Sequence, residues 1–311
     1  MKSFRILFII ITVLFYVTAI AQDEVSDDSL VTKPGNGFSS ETIDVNGTKI
    51  HFVRGGAGPV VVLLHGFPQD WYEYHAIMPR LAKKFTVIAV DLRGVGKSSV
   101  APNGYDAPNL ATDIDQLVRQ LNLKNVYIVG HDIGGIVAYA FARLYSDRAR
   151  GVMILDVPLP GLNPWNESIA GPQFWMLNFH QVPGLPEKLV SERQSVYFHY
   201  ILDPFHFNDR DVEHYVKAYS GDHLHAGFEL YRAFPADGEF NSKETRKLDL
   251  PIAWIAGEDS FFGKIGSKIA DALRAHGCKN VKTEIIKDCG HYLVNEQPQH
   301  VTELIERYAS L

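Results

Sequence analysis

The sequence predicts an α/β architecture: a mostly parallel central sheet flanked by helices, broken after its sixth strand by a mainly helical insertion. Three observations predict it. Short continuous apolar runs recur along the chain, as they do in strands buried on both faces of a sheet. Segments with apolar residues at helical spacing lie between them. The alternation stops at about residue 159 and resumes at about 248, which a parallel sheet interrupted by an inserted segment explains.

In chain order, residues 42–45 and 49–53 alternate apolar and polar around Asn46-Gly47, predicting a hairpin. The run 60–64 ends at His65-Gly66-Phe67-Pro68, and the run 85–90 ends at Asp91-Leu92-Arg93-Gly94. Leu110, Ile114, Leu117, Val118 and Leu121 mark a helix. Residues 126–129 form the fifth predicted strand, 136–145 a helix and 153–155 the sixth strand. The stretch 159–247 is aromatic, histidine-rich and studded with proline, and reads as a helical cap. A strand at 252–256, a helix at 265–275, a strand at 281–286 and a helix at 301–308 complete the core. The core therefore comprises 39–158 and 248–311, with the cap between them.

The N-terminus reads differently. Lys2 and Arg5 precede an apolar run from Ile6 to Ala21 that closes on Ala19-Ile20-Ala21, the small-x-small pattern of a cleaved signal peptide at 1–21. The run is slightly short of the about 17–25 residues of a membrane span. Residues 22–38, acidic and then Lys33-Pro34-Gly35-Asn36-Gly37, read as a flexible leader. The expectation is an exported protein, periplasmic or secreted, with no membrane attachment after cleavage. A net charge of −6 argues against nucleic acid as a partner. Cys278 and Cys289, the two cysteines, fall at opposite ends of one predicted strand, too far apart to bridge. No cluster has metal-ligand spacing, and no cofactor is implied. A homodimer is left open.

The chemistry gathers where predicted strands end. Gly130-His131-Asp132-Ile133-Gly134-Gly135 lies between a strand and a helix, the setting of a nucleophile elbow. The bland alternative is an aspartate capping the helix. His291, after the last strand, is placed to be a base, and Asp156, ending the strand after the elbow helix, to orient it. Gly257-Glu258-Asp259-Ser260 offers a second place for the orienting acid, and Asp156 is preferred to Asp259. The backbone N–H groups of Phe67 and Ile133 form a candidate oxyanion hole. Gly94-Val95-Gly96-Lys97-Ser98 resembles the end of a phosphate loop, but Asp91 stands where the first glycine is required.

An aspartate nucleophile constrains the reaction. Alkylating a carboxylate gives an ester that water can cleave, whereas alkylating a serine gives an ether that it cannot readily cleave. The expected substrate is therefore small, mainly apolar and electrophilic at a saturated carbon: an epoxide or an alkyl halide.

The segments His65–Tyr74 (HGFPQDWYEY), Asp91–Gly96 (DLRGVG) and His131–Gly134 (HDIG) resemble the epoxide hydrolases of the α/β-hydrolase superfamily, the exported Cif-type enzymes above all. The resemblance covers the chain from about Ser40 onward and implies an α/β-hydrolase fold. It implies opening of an epoxide by Asp132 to a covalent alkyl-enzyme ester, which a His291-activated water hydrolyses to a vicinal diol. It places a ring-opening donor at Tyr231, in Phe228-Glu229-Leu230-Tyr231-Arg232-Ala233, whose alternative role is packing. The family's second donor, aligned on Trp175, falls at Met176, which cannot donate; His180 is the nearby substitute, and these three residues are candidates for the substrate pocket. The alternative is a haloalkane or haloacetate dehalogenase working through the same aspartyl ester. Ile133 stands where such enzymes carry a halide-binding tryptophan or a carboxylate-binding arginine. A secreted binding protein without catalysis is a third reading.

Overall fold

The computed structural model describes residues 29–32, 37–205 and 207–310. The expected signal peptide at 1–21 and most of the leader at 22–38 lie outside the described residues. Eight strands form one sheet: β1 Phe38–Val45, β2 Thr48–Gly55, β3 Val60–Leu64, β4 Thr86–Val90, β5 Val126–His131, β6 Ala149–Leu155, β7 Ile252–Gly257 and β8 Val281–Ile286. Their order is β1-β2-β4-β3-β5-β6-β7-β8. The pairings β1–β2 and β2–β4 are antiparallel, and every later neighbour is parallel.

Local chemistry explains most of these elements. The β1–β2 hairpin turns on Asn46 and Gly47, both at positive φ (46° and 74°), the conformation that the tight turn requires and that this pair tolerates. Every residue of β3, β5 and β7 is buried, in keeping with their unbroken apolar runs. β6 begins four residues before the expected 153–155, at the half-buried Ala149 and Arg150. The helix Ala107–Gln120 (α1) is capped by Asp106, whose carboxylate accepts the Asn109 N–H. Its apolar stripe packs against the helix Ile133–Leu144 (α2), which is almost wholly buried. The glycine-containing turn at 94–98 is structural. A Cβ at Gly96 would collide with the Asp91 carboxylate, which accepts the Trp71 and Lys97 N–H groups at 2.9 Å each.

Between β6 and β7 the chain is helical: Trp165–Ile169 (α3), Trp175–Gln181 (α4), Leu185–Val190 (α5), Gln194–Leu202 (α6), Asp209–Ala218 (α7), Asp222–Arg232 (α8) and Phe234–Lys243 (α9). The helices Gly266–Ala275 and Pro298–Ala309 follow β7 and β8. The inserted helices sit over the edge of the sheet where β3, β5 and β6 end. Phe67, just past β3, packs its ring edge-on against Tyr219 and Tyr231 of that insertion. Both cysteines are free and buried.

One cap–core contact has a pH signature. Asp237 of α9 is buried and accepts the Ala107 N–H at the start of α1, at 2.7 Å. Burial, reinforced by the nearby Asp106 charge, pushes its carboxyl up to about 7. A raised carboxyl pKa means the folded state holds the proton that the unfolded chain releases. Stability is therefore lost as pH rises from about 4 to about 7. Asp237→Asn removes this titration. Its melting temperature should exceed the wild type's by roughly 5 °C at pH 8 and match it near pH 4.5. Parallel melting curves across pH would refute this.

Candidate active site

β5 ends at His131 and α2 begins at Ile133, so Asp132 alone makes the turn, at φ 49° and ψ −120°. That backbone is costly for a residue with a side chain. Close packing holds it there. A Cβ on Gly130 would strike the Gly134 backbone, and one on Gly134 would strike the carbonyl of Leu64 at the end of β3. Glycines at both places let strand, helix and neighbouring strand approach, and the central side chain is thrust outward. The capping alternative fails, because the Asp132 side chain makes no cap hydrogen bond to α2.

Asp132 Oδ1 instead accepts the Phe67 N–H at 3.3 Å. That N–H is aimed by its own ring, which sits edge-on among His180, Phe198, Tyr219 and Tyr231 at centroid distances of 5.0–5.8 Å. Ile133 is the first residue of α2, so its N–H has no acceptor inside the helix.

Asp132 Oδ2 lies 3.8 Å from His291 Nε2, beyond hydrogen-bonding range. The imidazole is held from its other side: Nδ1 is 2.7 Å from Asp156 Oδ2. Asp156 follows β6 directly, also at positive φ (50°), and its carboxylate is fully buried. Its remaining capacity is filled by the Ser260 hydroxyl at 2.6 Å and the Gly257 N–H at 3.3 Å. Ser260 in turn accepts the Phe262 N–H at 3.0 Å. Asp259 is exposed, and only its backbone N–H is engaged, with Cys289. The structure thus brings Asp132, His291 and Asp156 together and leaves Asp259 outside. Ser260, the residue after Asp259, donates its hydroxyl to Asp156 instead.

Within electrostatic range of Asp132, Tyr231 is buried, and its hydroxyl has no hydrogen-bond partner among the described residues. Burial, and then the Asp132 charge, raise its pKa well above the ordinary phenol value, which keeps it a neutral donor. Its ring meets that of His180 at 4.4 Å. His180 is fully buried, and burial lowers its pKa to about 3. Its Nε2 is 2.6 Å from the Tyr197 hydroxyl, while Nδ1 has no partner. Met176 is half-buried against the core, and Trp175 is 41% exposed, with ring neighbours Phe179, Tyr197 and Tyr200. Tyr197 had no sequence signal, since its helix α6 mixes polar and apolar residues without a clear stripe. Among the described residues no group of three or more His, Cys, Asp or Glu is placed to hold a metal ion. No helix there is long and apolar enough to cross a membrane.

Residues 59–298 match the α/β hydrolase fold family. The chain is 36% identical over 273 residues to the soluble epoxide hydrolase of Corynebacterium sp. (strain C12), covering 83% of this chain and 93% of that protein. Two solved structures are similar throughout. Cfl2 from Burkholderia cenocepacia superposes with a TM-score of 0.79 at 31% identity, over 88% of this chain and 96% of the other. The epoxide hydrolase CorEH superposes with a TM-score of 0.77 at 31% identity, over 88% and 99%. The chain belongs to the α/β hydrolase fold family, on its epoxide hydrolase branch.

Proposed function

We propose that this protein is an epoxide hydrolase acting through an aspartyl ester. The observation that carries this is the placement of the Asp132 carboxylate. It lies within electrostatic range of the buried Tyr231 and is not hydrogen-bonded to the histidine that a serine nucleophile would need. A carboxylate is ionised at neutral pH and needs no such base.

In the first half-reaction one Asp132 oxygen attacks a ring carbon. The C–O bond breaks with its electron pair on oxygen, and a tyrosine proton neutralises the developing alkoxide. Tyr231 is one donor, and we place the second at Tyr197. A buried lone pair on His180 Nδ1 is tolerated better than a buried N–H without an acceptor, so the ring proton sits on Nε2. Nε2–H then donates to the Tyr197 oxygen, leaving that hydroxyl's own proton for substrate. Tyr197 lies within electrostatic range of both Tyr231 and Tyr292. In the second half-reaction His291 takes a proton from water, and the hydroxide adds to the ester carbonyl. The oxyanion is met by the Phe67 and Ile133 N–H groups. Collapse expels the diol oxygen, which takes the proton back from His291. The proton left on the Asp132 carboxyl restores the tyrosine.

Trapping the ester tests this. His291→Gln incubated with an aryl or alkyl epoxide should gain the mass of the whole epoxide, and the gain should vanish in a second variant carrying Asp132→Ser. Tyr231→Phe should slow ester formation on the order of 100-fold. Labelling only by a bromoalkane, with loss of hydrogen bromide, would make the enzyme a dehalogenase; no labelling by either would favour a binding protein. Position 133 offers no halide site, because Ile133 has no side-chain donor; Trp175 is 41% exposed, with Tyr197 and Tyr200 among its ring neighbours. We further propose export, on the strength of residues 1–21. Protein recovered from the periplasm or medium would then begin at Gln22, and an intact N-terminus would overturn it.

A further inference from the structure

Beneath the nucleophile lies a buried ion pair that the reaction steps do not use. His131, the residue before Asp132, and Glu73, from the short turn of helix Trp71–Tyr74, have side chains 1% exposed each. Glu73 Oε1 is 3.1 Å from His131 Nδ1, off the line of an ideal hydrogen bond. The other oxygen, Oε2, accepts the Gly66 N–H at 3.0 Å. His131 Nε2 is 2.9 Å from the carbonyl oxygen of His291. A carbonyl only accepts, so Nε2 carries a hydrogen; a carboxylate facing Nδ1 calls for a hydrogen there too. A hydrogen on Nε2 and a carboxylate beside Nδ1 together fit an imidazolium.

We infer that His131 is a permanently charged positioning residue, clamped to Glu73, that locks together the three loops bearing the chemistry. Those loops are the Phe67 turn through Gly66, the elbow through His131 itself, and the base loop through the His291 carbonyl. The clamp is tight: a Cβ on Gly66 would lie 2.6 Å from Asp132 Cβ and 3.1 Å from His131 Nδ1. The charged and titratable groups facing His131 are Glu73, Asp132 and Asp156, with Tyr74, His291 and Tyr292 alongside. Burial opposes the charge, but Glu73 first and then the two aspartates outweigh it and raise the His131 pKa to about 9. Coupling within such a network matters, since a displacement of about 1 Å at reacting groups can cost on the order of 100-fold in rate.

Two measurements test the clamp, and the first does not depend on the epoxide hydrolase reading. Nitrogen-15 NMR of the histidine-labelled protein at pH 7.5 should show both His131 ring nitrogens protonated. The signal is assigned by its loss in His131→Gln or, should that variant not fold, by its change in Glu73→Gln. A neutral His131 with one unprotonated nitrogen would overturn the proposal. The second is kinetic and rests on the hydrolase reading. Glu73→Gln keeps the size and an acceptor for Gly66 but removes the charge. His131 should then lose its proton in the neutral range. Single-turnover ester formation and hydrolysis should both fall on the order of 100-fold, and the deficit against wild type should be larger at pH 8.5 than at pH 6. Glu73→Asp, which restores the charge, should recover part of the rate. A loss that does not vary with pH, or rates unchanged in Glu73→Gln, would reduce the pair to packing.

Discussion

Asp132→Ala should lose turnover by at least about 10⁴-fold and accept no covalent label, while melting within a few degrees of the wild type. The large loss follows from chemistry. Among the described residues no other carboxylate is paired with both the Phe67 N–H and His291 Nε2, so none is placed to replace the attacking oxygen. The small change in stability follows from structure. The Asp132 side chain caps no helix, and among the described residues it accepts from the Phe67 N–H, which solvent can serve once the carboxylate is gone. Alanine must still adopt φ 49°, which costs on the order of 1 kcal/mol, as aspartate already must. The measurement pairs a thermal melt with intact-mass labelling by an epoxide. Residual turnover within 100-fold of wild type, in protein free of wild-type contamination, would show that Asp132 is not the nucleophile.

Much of the frame supporting this residue was legible in the chain. β3 falls where its apolar run lies, because a strand sealed on both faces leaves a pattern no loop imitates, and β8 falls at the expected 281–286 although only its two ends are buried. The elbow was legible for another reason: glycines on both sides of a polar residue make sense only where backbones nearly touch. Element ends were less clear. β6 starts at Ala149-Arg150, whose exposure hides it, and α2 starts at Ile133, inside a glycine-rich stretch that reads as a turn. Two parts of the site were out of reach. Glu73 and His131 look like ordinary turn residues until tertiary packing sets them 3.1 Å apart. Tyr197 becomes relevant only because His180, two helices earlier, has its Nε2 2.6 Å from the Tyr197 hydroxyl. Pairings made across the fold leave no periodicity to read.

The choice between Asp156 and Asp259 yields the second large effect. Asp156→Asn should hydrolyse the ester about 10⁴-fold more slowly, yet still form it within a few-fold of the wild-type rate. The reason is the pattern of donors around the carboxylate. Oδ1 accepts a fixed backbone donor, the Gly257 N–H, whereas Oδ2 meets the Ser260 hydroxyl and His291 Nδ1. An asparagine must keep its carbonyl toward Gly257, since an amide there would set donor against donor. Its NH₂ then points at Ser260, which can turn to accept, and at His291 Nδ1, which must give up its hydrogen to do the same. The imidazole is thereby held as the Nε2–H tautomer, which cannot take a proton from water. Ester formation needs no base and is spared. Asp156→Asn should therefore accumulate the same mass adduct as His291→Gln, and Asp259→Asn, altered at an exposed side chain, should accumulate none. The opposite result, with the adduct persisting in Asp259→Asn and cleared normally in Asp156→Asn, would move the orienting role to Asp259. It would also require that loop to swing inward during turnover.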